Sequence, residues 1–162
     1  MKQSSKLGLM ICLSLTVTCT AIAQEKSKPE WSYFTIDRNH GWKVYYDLKN
    51  VERASDRVIR VSVKLIPIYK DNEEKAKRIR SLIEDRQGLG IKPERYNEYS
   101  YSVMLLEIKC STNEGRDITI WDYDKTDKEL GQDTLNNSEF APIWEGSWTK
   151  RLAGQLCVEK KK

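Results

Sequence analysis

Val58-Ile59-Arg60-Val61-Ser62-Val63-Lys64-Leu65-Ile66 carries the most regular pattern in this chain. Ile59, Val61, Val63 and Leu65 alternate with Arg60, Ser62 and Lys64, the period of a strand with one buried and one wet face. Strand signals continue on both sides. Upstream, Trp31 to Ile36 is aromatic and β-branched, Asn39-His40-Gly41 is turn-like, and Trp42 to Asp47 alternates again, which predicts a hairpin. Downstream, Tyr99 to Ile108 becomes apolar on both faces at Val103-Met104-Leu105-Leu106, as a central strand does. Asn113-Glu114-Gly115 then predicts a turn, and Arg116 to Tyr123 a returning strand with Ile118 and Ile120 on one face. A polar turn over Asp124 to Gly131 leads to a short strand near Gln132 to Leu135.

Two helices interrupt this pattern. Asp71 is placed to cap the first, with Glu73 and Glu74 in its electropositive first turn. Ala76, Ile79, Leu82 and Ile83 share its apolar face, and Gly88 or Gly90 ends it. The second starts near Ser147 and runs to Cys157, with Trp148, Leu152 and Leu156 spaced by four. The expected fold is α+β: a mainly antiparallel sheet of five or six strands with helices packed on one face.

The first 23 residues read as a cleavable signal peptide. Lys2 and Lys6 precede an apolar run from Leu7 to Val17, and Ala21-Ile22-Ala23 puts small residues where a signal peptidase cuts, between Ala23 and Gln24. The run is shorter than the ~20 residues a membrane span needs. Cys19 and Cys12 are poor lipidation sites, because Thr16, Thr18 and Ile11 occupy positions where a lipobox carries Leu and small residues. The expected location is therefore the periplasm, with the outer surface or the medium as alternatives. Residues 24–30 form a charged leader, 31–158 one domain, and 159–162 a basic tail.

Cleavage of the 162-residue chain would leave 139 residues, and the loss of two lysines would bring a formal charge of +4 down to about +2. That balance argues against nucleic acid as a partner. It would also leave two of the four cysteines, Cys110 and Cys157, and in an oxidising compartment such a pair predicts a disulfide between the ends of a strand and a helix. Two free thiols or a bond between chains are the alternatives.

Three groups of landmarks resemble the surface-adhesin protein E-like family of Gram-negative envelope proteins. They are Tyr45-Tyr46-Asp47 with Asn50-Val51 before the basic strand at Val58; Ile108-Lys109-Cys110 followed by Arg116 and Ile118-Thr119-Ile120-Trp121-Asp122-Tyr123-Asp124; and Phe140, Pro142-Ile143, Gly146-Ser147, Leu152 and Leu156-Cys157. The likeness spans Trp31 to Val158. Phe140 stands where the family has Trp, Glu145 where it has Pro, and the 71–87 helix is an insertion relative to short members. The resemblance implies a small antiparallel sheet with helices and a disulfide, an envelope location, and a protein partner such as a host matrix or plasma protein. It transfers no binding residues.

Catalytic and metal chemistry find little support. His40 is the single histidine and falls in a turn, no nucleophile-elbow sequence is present, and no cofactor motif is found. Asp122, Asp124 and Asp127 lack the Gly and closing Glu of a calcium loop and read as a solvated turn. The expectation is a non-enzymatic envelope protein with no cofactor or metal, the alternative being a periplasmic accessory or inhibitor-like module. Partner-binding candidates are Lys75, Lys77, Arg78 and Arg80 on the basic helix, Trp31 and Trp144 as exposed aromatics, and Lys162, whose terminal ammonium and carboxylate match what lysine-binding domains recognise. Open sheet edges make a homodimer a further expectation.

Overall fold

The computed structural model describes residues 28–55, 57–86, 93–135 and 138–158. The expected signal peptide with its Ala23–Gln24 junction, and the tail with Lys162, lie outside the described residues. The elements run β1 (Trp31–Asp37), β2 (Trp42–Asp47), β3 (Glu52–Ser55), β4 (Val58–Pro67), α1 (Asn72–Arg86), a 3-10 helix (Pro93–Glu98), β5 (Tyr99–Lys109), β6 (Glu114–Asp124), β7 (Glu129–Thr134), β8 (Ala141–Pro142) and α2 (Trp148–Leu156). All strand pairs are antiparallel, in the order β1-β2-β4-β5-β6-β7, with β3 also on β4 and β8 also on β6. The described residues are sheet-dominated, with eight strands and two α-helices. The expected count of five or six omits β3 and β8, whose side chains are all exposed and so have no buried face to set a period.

The pleat sorts side chains as β4 predicts. Ile59, Val61 and Val63 are almost fully buried, and Val61 and Val63 join Val44, Tyr46, Leu106 and Ile108 in the main core. Leu152 and Ala153 of α2 pack into the same cluster, and Gln155 donates to the Tyr46 hydroxyl at 2.9 Å. Ser147 caps α2, its Oγ accepting from the Lys150 amide at 3.0 Å. The helix ends at Cys157, which is bonded to Cys110 just after β5 with Cα atoms 5.5 Å apart. An intrachain disulfide thus ties α2 to the sheet. A smaller cluster joins Ile79 of α1 to Tyr96, Tyr99 and Leu130.

At the start of α1, Asp71 Oδ1 accepts from the Glu74 amide and Glu74 Oε2 accepts from the Lys70 amide, both at 2.8 Å. Ala76, expected on its buried face, is exposed. The turn assigned to Asn113-Glu114-Gly115 begins earlier, at residue 110. Asn113 takes the left-handed conformation (φ 56°), so Gly115 already lies in β6. There a Cβ would come within 3.2 Å of Ile143 Cγ1, so Gly115 serves close packing rather than the turn.

Candidate functional site

Facing side chains on the sheet's other surface largely satisfy one another. Glu52, Arg60, Glu107 and Arg116 occupy one cross-strand row over β3, β4, β5 and β6. The buried carboxylate of Glu107 receives Arg60 Nη2 at 2.6 Å and Arg116 Nε at 2.8 Å, and Arg60 also lies 3.6 Å from Glu52. Burial alone would raise the Glu107 pKa, but the two guanidinium groups outweigh it and hold it below the usual value. A second row runs Tyr33, Tyr45, Lys64, Val103, Trp121 and Gln132 over all six strands of the main path. At its centre the Lys64 ammonium lies 3.5 Å from the Tyr101 ring centroid and 5.9 Å from that of Trp31. Burial lowers the Lys64 pKa, and the charge of Asp127 only partly offsets this. Trp31, expected exposed, is half-buried in this arrangement.

The three aspartates read as a solvated turn have separate structural tasks. Asp122 is fully buried, accepting from the Tyr96 hydroxyl at 2.9 Å and from Ser102 Oγ at 2.6 Å. Asp124 Oδ1 accepts from the Thr126 and Lys128 amides and so closes the β6–β7 turn. Asp127 accepts from the Tyr101 hydroxyl at 2.6 Å. The solvated-turn reading fails at Asp122, which lies within β6 opposite Ser102 and faces the interior. His40 sits at the β1–β2 turn with its ring largely exposed, Nδ1 lying 2.8 Å from Asp37 Oδ2. Asp37 also accepts the Asn39 and His40 amides. Burial would raise its pKa, but these bonds and the His40 charge lower it. The pair stabilises a turn.

The four basic candidates on α1 do not form one surface. Lys77 and Arg80 are exposed. Lys75 and Arg80 flank a shallow depression over Ile79 and Ile83. Arg78 is turned inward, contrary to its expected place on the outer surface: its guanidinium lies 3.9 Å from the Trp42 ring centroid and donates to the His40 carbonyl at 2.8 Å. Trp42 provides a flat face at the hairpin, and the long arginine reaches it from the helix.

Trp144 differs from all of these. It is 84% exposed and, among the described residues, has no stacking partner. It stands between two depressions. One, of about 790 Å³, lies between the β1–β2 turn and the start of α2, lined by Ile36, Asp37, Arg38, His40, Trp148 and Arg151. The other, of about 400 Å³, lies between β6 and the start of α2, lined by Leu106, Asp117, Leu135, Ile143, Ser147 and Thr149. Ile36, also exposed, extends the apolar surface on the hairpin side. The sequence marked Trp144 by its place in a loop. It did not mark Asp117, because the β5–β6 pairing skips Ile118 and sets Asp117 opposite Leu106. Such a bulge turns a residue that alternation would put elsewhere.

Comparison with models of protein families, with curated proteins and with solved structures finds no match to this chain.

Proposed function

We propose that this protein is an exported, non-enzymatic envelope protein that binds a macromolecular partner through the surface around Trp144. The exposure of Trp144 at the junction of two depressions carries this reading. A tryptophan brings roughly 200 Å² of contact surface, and covering it in a complex contributes about 5 kcal/mol gross, part of which offsets the cost of association. Trp is also the residue type most often found at the energetic centre of protein interfaces. Elsewhere the prominent polar groups of the sheet are engaged within the chain, as with Arg60, Glu107 and Arg116.

The intrachain disulfide suits an oxidising compartment, and among the described residues no helix is long and apolar enough to cross a membrane. Both fit export under the signal peptide read in residues 1–23. The likeness to surface-adhesin protein E-like domains adds a partner class, host matrix or plasma proteins, to this proposal. Protease shaving of intact cells tests it. Peptides released from intact cells support surface display, whereas a protected product recovered by osmotic shock contradicts it and favours a periplasmic accessory role.

A further inference from the structure

We propose that the depression between β6 and the start of α2 receives an arginine side chain of a protein partner, with Asp117 pairing the guanidinium and Trp144 stacking on it. This rests on the reading of Trp144 as a recognition surface and names the chemistry recognised there. Asp117 is half-buried, and among the described residues its carboxylate has neither a hydrogen bond nor an ion pair; only its backbone carbonyl is engaged, by Ser138. Around it the lining is mainly apolar, from Leu106, Leu135 and Ile143. Burial accordingly raises its pKa, with no opposing contribution. Among the described residues the one cation in the lining, Arg116, is committed to Glu107 at 2.8 Å and to the Ser138 carbonyl at 3.3 Å. A second carboxylate, Glu139, adds to the negative rim.

An uncompensated carboxylate in an apolar recess beside an uncovered indole matches a guanidinium better than any other side chain. The guanidinium is planar, weakly hydrated, forked to meet a carboxylate and flat enough to stack. A lysine ammonium meets the charge but costs more to desolvate and presents no plane. The chain makes the same kind of contact within itself, with Arg78 over Trp42 at 3.9 Å and Arg116 over Phe140 at 4.4 Å.

The test is an NMR titration of the full chain, following the Trp144 indole N–H and the Asp117 carboxyl carbon. N-acetyl-arginine methylamide is the ligand, and the citrulline analogue is its neutral isostere. The expected result is saturable movement of both signals with a Kd of roughly 1 mM, weakened at least tenfold in Asp117→Asn and Trp144→Ala and absent with citrulline. Asp117→Asn removes a charge that lacks a partner among the described residues, so it keeps the fold, which the remaining amide spectrum reports. Equal movement with citrulline, undiminished binding by Asp117→Asn, or no saturable movement overturns the proposal. If it fails while Trp144→Ala still reduces binding to matrix or plasma proteins, the arginine site is wrong and the recognition surface stands.

Discussion

Glu107 is where charge and fold are most tightly coupled. It is 4% exposed and bridges Arg60 and Arg116, and its folded pKa lies below the ordinary 4.5. A carboxylate with a depressed folded pKa contributes its full stability above about pH 4.5, and that contribution is lost as the pH falls through the folded value. Glu107→Gln should therefore cost about 2 kcal/mol at pH 7, and the difference from wild type should shrink at pH 3. Urea midpoints at the two pH values check this; an equal difference at both contradicts it. Asp117 has the opposite sign. Its folded pKa is raised above the ordinary 3.8, so its ionised form detracts from stability at neutral pH and ceases to do so below that value. Asp117→Asn should raise stability at pH 7 by up to about 1 kcal/mol and change it little near pH 3, by the same measurement. Neither role was legible in the sequence. Glu107 reads as one polar residue in an apolar strand until its cross-strand partners are known, and Asp117 is displaced by a bulge that no local pattern announces.

Elements with a strong period were legible; those held by single long-range contacts were not. The alternation in β4, the hairpin and the N-terminal caps of α1 and α2 follow from adjacent residues. The bounds of β4, the hairpin and α2 and the start of α1 agree with expectation to within two residues, while Gly88 and Gly90, expected to end α1, lie outside the described residues. β3 and β8 were missed for want of a buried face. The basic stripe on α1 looked uniform because sequence spacing cannot show that Arg78 finds Trp42 and the His40 carbonyl across 38 residues of chain. That contact fastens α1 to the hairpin. Arg78→Ala should cost about 1 kcal/mol and speed amide hydrogen exchange in α1 more than in β4 and β5, whereas Lys77→Ala should do neither. At the other helix the disulfide closes a separation of 47 residues. Replacing both Cys110 and Cys157 by alanine should lower unfolding stability by about 4 kcal/mol on a chain-entropy argument, read from denaturant midpoints.

As a whole, the molecule is an antiparallel sheet in which much of the charged and aromatic surface is satisfied internally. Glu107 holds two arginines, Lys64 lies against Tyr101, and Arg78 covers Trp42. Against that background an uncovered tryptophan between two depressions is the feature best suited to a partner. The most direct measurement is surface plasmon resonance of the full chain, wild type and Trp144→Ala, over immobilised extracellular-matrix and plasma proteins. The expected result is saturable binding to at least one of them that Trp144→Ala weakens tenfold or more, about 1.4 kcal/mol. Saturable binding that Trp144→Ala leaves unchanged, or none to any of these proteins, would contradict it.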